Sequence, residues 1–421
     1  MGRSALVLSV LLTALPAAAE TFDATVTTLV AGRQDPRDGK VYTVVPIYQL
    51  LTLSVSGVKT RWLDDLRINV SGWGELALGD PRSGLASGDL DVGVVDGSLF
   101  DRRVRVQLGR QMVWSGAARA MQLDGASLTL RIFRGIHLNA WGGAPVTPRF
   151  GTRLGDVAAG GRLSFRLGHD SDFGLSFVEV LDGGRLARQD LGADARWQAH
   201  STVALTAYAL LSTVEWRLAE GDLAINWQPI RKLSLRADYR RTAPDLFLPR
   251  NSILSVFSQE SRDEVGASLY ARPTLRARLD VDYHAIVDGS PTSLGGFGTG
   301  HRGGAKANVY LGARYETTIG AEVRVVHLGE TGYVQTRLFA MHRILPTLTV
   351  TLDADAYRLE QAINGATFSF TGAGTVGWDF KPGWRAVVSG VADVTPFVQS
   401  RVECMAKLVY NGVFRIHEVR P

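Results

Sequence analysis

The sequence predicts an all-β protein, a closed antiparallel transmembrane β-barrel of about 16–22 strands with short periplasmic turns and longer extracellular loops. Three features of the chain predict this fold. Apolar and polar residues alternate at period two, an export signal precedes them, and short connections alternate with long ones. Because successive side chains of a strand point to opposite faces, such a barrel turns its apolar face to lipid and its polar face to a wet lumen.

Residues 1–19 have the form of a secretory signal peptide. Arg3 supplies the positive charge, Ala5 to Leu15 the apolar segment, and Ala17 to Ala19 the small residues before the cleavage site. We therefore divide the chain into a signal peptide at 1–19, a transmembrane barrel at 20–414 and a short tail at 415–421. The expected location is the outer membrane of a Gram-negative bacterium.

The clearest strand is predicted from Thr274 to Val287. Leu279 and Val281 point to its apolar face, and the residues between the apolar positions are Arg, Asp and His. The same alternation recurs at 66–71, 104–109, 162–167, 193–200, 222–228, 232–240, 308–316 and 347–355. A soluble β-sandwich would alternate in the same way, with its ionic face in solvent, whereas a propeller would show a blade repeat that this chain lacks.

Connection lengths favour the membrane barrel over the sandwich. Short connections are predicted near 101–103, 169–172, 229–232, 272–274, 345–347 and 381–383, and long ones at 79–87, 144–155, 242–261 and 287–303. Tryptophans near strand ends are expected at the two lipid–water interfaces; these are Trp62, Trp73, Trp141, Trp216, Trp227, Trp378 and Trp384. Phe414 is predicted to be the outward aromatic residue that ends the last strand.

The basic residues are almost all arginine. Only six of the 46 are lysine, so 40 are arginine, and the formal net charge is +5. Arginine binds carboxylates and phosphates with two parallel hydrogen bonds and stays charged, so this bias suits a protein that handles anions. A genome rich in arginine codons would produce the same bias. The single cysteine, Cys404, has no partner for a disulfide within the chain.

The arginines on predicted inward positions form the candidate anion-contacting set. Its members are Arg67, Arg105, Arg131, Arg162, Arg166, Arg196, Arg236, Arg240, Arg276, Arg278, Arg314 and Arg324, with Arg337 at the same parity. They outnumber the inward carboxylates, and rings of arginine select anions in pores. The competing interpretation is that these arginines pair with carboxylates across strands and only solvate and stiffen the wall.

One long loop is unusually apolar. It runs from Asp245 to Ser258, and its candidate gate residues are Asp245, Phe247, Leu248, Arg250 and Phe257. An exposed apolar segment usually contacts something. The alternatives are a fold into the lumen as a constriction, docking of a partner, or an extra pair of strands.

The stretch from Leu108 to Gln111, followed by Leu123, Asp124 and Gly125, resembles a strand–loop–strand pattern of porin-like and alginate-export-type barrels. In those families a strand ends in a Gly-Arg-Gln step, and the next begins after Asp-Gly. The resemblance covers about a tenth of the chain, and it implies an arginine-lined conduit for anionic sugars or polysaccharide. Alternatively, the stretch is a strand end at which Asp-Gly supplies a turn.

Motifs for catalysis, cofactors or metals are not found in the sequence. Asp280, Asp282 and His284 share one strand face, an arrangement that acid–base chemistry uses, but a wet lumen also brings such groups together. We expect no enzyme activity, no cofactor and no nucleic-acid partner.

The expected function is passage of an anionic saccharide or polysaccharide through the outer membrane. Export of a polymer would require a periplasmic partner that delivers the chain. The alternatives are a general anion-preferring diffusion porin and a plugged structural or adhesive barrel within a surface complex.

Overall fold

A single sheet of 22 antiparallel strands closes on itself in the computed structural model of the chain. The structure describes residues 21–37, 40–58, 63–79, 86–146, 156–168, 170–243, 246, 261–288, 298–328 and 331–415. Each strand pairs with its neighbours in sequence, and β1 also pairs with β22. The predicted closed all-β barrel is confirmed, with a strand number at the upper end of the expected range.

The strands have the following bounds. The first eleven are β1 Thr21–Arg37, β2 Lys40–Val58, β3 Asp65–Leu78, β4 Ala86–Leu99, β5 Val104–Ser115, β6 Ala118–Phe133, β7 Ile136–Pro145, β8 Val157–Leu167, β9 Ser171–Asp182, β10 Arg185–His200 and β11 Val203–Ser212. The others are β12 Arg217–Ile230, β13 Leu233–Thr242, β14 Arg262–Thr274, β15 Ala277–Asp288, β16 Gly298–Leu311, β17 Thr317–Leu328, β18 Thr331–Leu345, β19 Leu348–Ile363, β20 Ala366–Lys381, β21 Trp384–Thr395 and β22 Val398–Arg415.

The two ends of the barrel differ in connection length. At one end the strands join through short turns, as at 134–135, 201–202, 231–232, 275–276, 346–347 and 382–383. At the other end the intervals between strands include 79–85, 146–156, 243–261 and 289–297. Since outer-membrane barrels have short periplasmic turns and longer extracellular loops, the first end is periplasmic and the second extracellular.

The outer face of the wall is apolar. Leu175, Leu352 and Val388 lie at outward positions and are 59–66% exposed, because lipid rather than protein is their expected environment. Near the periplasmic end the rings of Trp384 and Tyr410 lie 4.7 Å apart, as part of an aromatic group that also contains Trp378 and Phe380. This group matches the aromatic girdle expected at a lipid–water interface.

Closure brings the two terminal strands together. Phe22 is opposite Phe414 in the β1–β22 register, and their ring centroids are 6.0 Å apart. Phe414 therefore lies where the sequence predicted an outward aromatic residue. The predicted signal peptide and the tail beyond Arg415 lie outside the described residues.

One predicted strand boundary is wrong. The strand expected from Thr274 begins instead at Ala277, because Thr274 still belongs to β14 and the turn is at 275–276. Pro273 lies where the β14–β15 register shifts, a position at which its missing N–H is tolerated.

Among the described residues there is no helix long and apolar enough to cross a membrane. The same residues contain no group of three or more His, Cys, Asp or Glu side chains placed to hold a metal ion. Cys404 is an exposed free thiol.

We predict that Leu352→Arg destabilises the barrel in lipid. Leu352 lies on the outer face of β19, four residues beyond its periplasmic end, and an arginine near the bilayer midplane costs roughly 2–4 kcal/mol. Thr351→Arg is the matched control, because that side chain points into the wet lumen. Denaturant unfolding in lipid vesicles measures both variants, and equal losses would contradict the assignment of the two faces.

Candidate functional site: a constricted basic lumen

The hairpin of β5 and β6 folds into the barrel. Its two-residue turn is formed by Gly116 and Ala117, and the backbone N–H of Ala117 donates to the Ser176 hydroxyl at 2.6 Å. Ser176 lies on the inward face of β9, opposite Gly192 of β10. Ala117 is fully buried, so the tip of the hairpin rests against the inner wall.

A salt bridge anchors the hairpin further around the barrel. The guanidinium of Arg119, on β6, lies 2.6 Å from the carboxylate of Glu220, on the inward face of β12. The hairpin tip therefore reaches past the five intervening strands of the wall. Arg119 is 38% exposed and Glu220 25% exposed, so water screens this contact and we expect it to contribute modestly to stability.

Apolar packing holds the tip more firmly than this ion pair. A buried cluster joins Val113, Ala117 and Ala118 of the hairpin to Val178, Leu210 and other wall residues that face the lumen. Trp141 belongs to this cluster and is 5% exposed. The predicted place of Trp141 at the lipid interface is thus wrong, because its ring packs inside the barrel under the hairpin.

A row of glycines lies at the base of the folded hairpin. Gly109, Gly125 and Gly143 are opposite one another on β5, β6 and β7. A Cβ atom at any of them would lie 2.1–2.5 Å from a backbone oxygen, and Gly109 has a φ of +114°. The backbones therefore approach as only glycine permits, and beyond this row the hairpin leaves the wall.

These residues belong to the stretch that resembled alginate-export-type barrels, and the structure gives them another arrangement. Asp124 and Gly125 lie within β6 and form no turn. Arg110 is at an outward position and pairs with Asp124 through hydrogen bonds of 2.7 and 2.8 Å. The alginate-export resemblance is not supported.

The predicted gate residues Asp245, Phe247, Leu248, Arg250 and Phe257 lie outside the described residues. Leu246 is the described residue of that loop, and it packs against the apolar cluster of the folded hairpin. In the described part of the chain, the lumen is narrowed by the β5–β6 hairpin, which the sequence did not single out.

Ten of the twelve candidate arginines lie at inward positions on strands. Arg276 and Arg314 lie in the periplasmic turns at 275–276 and 312–316. In the second turn the N–H groups of Glu316 and Arg314 donate to the Glu316 carboxylate and hold its pKa below the usual value. Arg337 is inward and pairs with Asp353 at 2.9 Å.

Most of the inward arginines are paired with carboxylates. Arg162 bridges Asp194 and Asp172 at 3.0 and 2.6 Å and lies directly beneath Gly116. Ion pairs also hold Arg67, Arg105, Arg166, Arg236, Arg240, Arg278 and Arg324. Arg131 and Arg196 have no carboxylate within 4.0 Å among the described residues. The arginine-rich wall is therefore largely neutralised, as the ion-pairing interpretation predicts.

The unneutralised charge collects at the periplasmic end of β3 to β8. A cavity of about 320 Å³ there is lined by six arginines, two aspartates, Ser98, Thr129 and His137. The arginines are Arg67, Arg102, Arg103, Arg105, Arg131 and Arg166. We call this space the basic mouth cavity. Arg102 and Arg103 come from the β4–β5 turn, so strand alternation could not identify them.

The acid–base group predicted on β15 is part of the wall. His284 is 8% exposed, and its Nε2 lies 3.3 Å from Asp238 while its Nδ1 lies 3.8 Å from Asp282. A Cβ on Gly266 would meet the imidazole ring at 2.1 Å. The ring therefore lies flat on β14 and links β13 to β15.

Comparisons with known proteins show likeness at the level of the fold. Neither a protein-family model nor a curated protein sequence matches the chain. The crystal structure of Pseudomonas aeruginosa OccK5 (OpdH) aligns with a TM-score of 0.46 and 11% identity, over 94% of this chain and 99% of that chain. The P. aeruginosa outer membrane protein OpdK aligns with a TM-score of 0.47 and 9% identity, over 94% and 98%.

The P pilus usher (PapC) translocation pore aligns with a TM-score of 0.51 and 12% identity, over 94% of this chain and all of that chain. This likeness agrees with the closed barrel described above. A closed barrel with an apolar exterior satisfies every backbone group within lipid and is the architecture of outer-membrane proteins. The predicted outer-membrane localisation is confirmed.

We predict that cysteines at positions 117 and 176 form a disulfide in a Cys404→Ser background. The Ala117 N–H lies 2.6 Å from the Ser176 hydroxyl, so the two side chains start from adjacent points in the lumen. Ala117→Cys with Ser268→Cys on β14 is the control pair, and it should stay reduced. Mass spectrometry of the folded protein after mild oxidation checks both pairs; a reduced 117–176 pair would mean that the hairpin does not dock on β9.

Proposed function

We propose that this chain is a passive outer-membrane channel that prefers anions. A barrel of 22 strands encloses more space than the side chains of its wall can fill, and outside the apolar cluster that holds the hairpin the inward face carries paired charges. The observation that carries the anion preference is the basic mouth cavity, where arginine charge exceeds carboxylate charge. An anion passing the periplasmic end meets a positive potential, and a cation meets a barrier.

The folded hairpin sets the width of the path. It occupies the lumen on the side of β7 to β12, and an apolar cluster and the Arg119–Glu220 pair hold it there. The remaining lumen is bounded by the hairpin and by the wall from β13 through β22 to β4. A narrowed path brings each solute close to the wall charges and so strengthens their selectivity.

Diffusion of small anions needs only this geometry, whereas polymer export also needs a periplasmic partner. We therefore place the anion-preferring porin first and keep saccharide or polysaccharide export as a prediction. A plugged structural barrel predicts no ion conductance. If the folded protein passes no ions, both channel functions are excluded.

We predict an anion-selective conductance that depends on the basic mouth cavity. In a planar bilayer under a KCl gradient, the reversal potential should be shifted from zero toward the equilibrium potential of chloride. Arg102→Gln/Arg103→Gln/Arg131→Gln should move the reversal potential most of the way back to zero. Arg231→Gln/Arg272→Gln is the control, because it removes exposed arginines at the same end but outside the cavity. A cation-selective wild-type channel, or an equal shift in the control, would refute the proposal.

We also predict that Gly192→Val increases the single-channel conductance. A Cβ on Gly192 would lie 2.5 Å from the Ser176 hydroxyl and 2.9 Å from the Ala117 Cβ, so a larger side chain should push the hairpin tip off the wall. Ser268→Val, on the inward face of β14, is the control, because it places the same valine side chain in the lumen away from the tip. If both variants conduct like the wild type, the hairpin does not limit the current.

A further inference from the structure

We propose that the basic mouth cavity is a binding site for a compact multivalent oxyanion, such as a pyrophosphate or a tricarboxylate. The proposal rests on the anion channel proposed above and names the class of ligand that the channel recognises. The site lies at the periplasmic end of β3 to β8, outside the constriction formed by the hairpin. The charge that a ligand meets there depends on which of the six arginines are already neutralised by carboxylates.

Three of the arginines have carboxylate partners. Arg67 lies 2.7 Å from Asp65, Arg105 donates to Asp96 at 2.8 Å, and Arg166 lies 3.1 Å from Asp172. Asp172 is shared with Arg162, which is itself held by Asp194. These pairs fix the positions of three guanidinium groups around the cavity and leave part of each exposed, between 49% and 58% of the side chain.

The side chains of the other three arginines lack carboxylate partners in the described part of the chain. Among the described residues, no carboxylate lies within 4.0 Å of the side-chain nitrogens of Arg102, Arg103 or Arg131. Asp64 accepts the backbone N–H of Arg102 at 3.0 Å and leaves its guanidinium free. The backbone N–H of Arg131 donates to the carbonyl of Arg103 at 2.8 Å, which brings β6 and the β4–β5 turn together. Three uncompensated positive charges therefore converge on one cavity.

Charge and size together select the ligand class. A monovalent anion would leave two of these charges unbalanced, whereas an anion with several negative oxygens can bind two or three guanidiniums in parallel. The cavity of about 320 Å³ has room for roughly ten waters at about 30 Å³ each. A molecule of about that many heavy atoms fits.

The remaining lining groups suit an oxyanion as well. Ser98 and Thr129 offer hydroxyl donors, and His137 faces the cavity from β7. Asp65 and Asp96 are occupied by their arginines, so they orient the donors without occupying the space of the ligand. The site is open to water, and we expect binding to weaken as salt shortens the range of the charges.

The test is block of the chloride current by pyrophosphate. Sodium pyrophosphate added on the periplasmic side of a bilayer-inserted channel in ~0.1 M KCl, where charges act over roughly 10 Å, should reduce the current with a saturable concentration dependence. Arg103→Gln/Arg131→Gln should raise the half-blocking concentration roughly tenfold or more, because each lost contact is a charge-assisted hydrogen bond. Arg231→Gln/Arg272→Gln should leave it unchanged. Citrate replaces pyrophosphate in a second series and shows whether phosphoryl or carboxylate oxygens bind more tightly.

Equilibrium dialysis of the detergent-solubilised full-length barrel with radiolabelled pyrophosphate measures the same site without a current. We expect saturable binding near one molecule per barrel that Arg103→Gln/Arg131→Gln weakens. An anion-selective channel that neither binds pyrophosphate nor is blocked beyond the effect of ionic strength would overturn the inference while the channel function stands. If Arg231→Gln/Arg272→Gln loses binding as much as Arg103→Gln/Arg131→Gln does, pyrophosphate is held by general electrostatic attraction to the periplasmic end and not by a defined site. Absence of anion selectivity would refute the proposed anion-preferring channel. Dialysis would still show whether pyrophosphate binds at the site.

Discussion

The pairing of β1 with β22 is the constraint on which the structure depends. Each backbone N–H and C=O within lipid needs a partner inside the protein, and only a closed sheet supplies one for both terminal strands. Closure after 22 strands also sets the circumference, and a ring of that size is too wide for its own side chains to fill. The shape of the lumen is therefore decided by what folds into it, and stability of the wall comes from the hydrogen-bonded sheet and its lipid-facing residues.

The β5–β6 hairpin is the element that folds in, and its strands stay paired as it does so. Because β5 and β6 stay paired with each other along the hairpin, only the outer edge of each strand loses its wall partner, and those edges face the wet lumen. The glycine row at Gly109, Gly125 and Gly143 permits the close backbone approach at the base. Inward apolar residues such as Val178 and Leu210 then bury the tip, which explains why a wet lumen contains a dry cluster on one side.

Period-two alternation predicted the strands, the closed barrel and the inward side of ten arginines, because strand parity is a local property. It failed where position depends on contacts distant in sequence. Arg276 and Arg314 have inward parity but lie in turns. Arg276 lies in a turn because β14 continues past the register shift at Pro273 to Thr274. Trp141 lies near a strand end, as an interface residue does, but its place opposite Ser127 gives it lumen parity, and the hairpin buries it. One signal was present: Val178, Val180 and Leu210 are apolar at lumen parity, which predicts that something covers them.

Counting arginines overstates the field of this lumen. A guanidinium with a carboxylate at 2.6–3.3 Å contributes little beyond the pair, and salt reduces the remainder within about 10 Å. Eight of the ten inward candidate arginines are in such pairs, so they hold strands in position more than they attract solutes. The proposed selectivity then depends on the few charges that lack carboxylate partners in the described part of the chain, and three of these meet at the periplasmic mouth. Two of the three come from a turn rather than a strand. The recognition chemistry proposed for this barrel is therefore concentrated where the regular pattern of the wall ends.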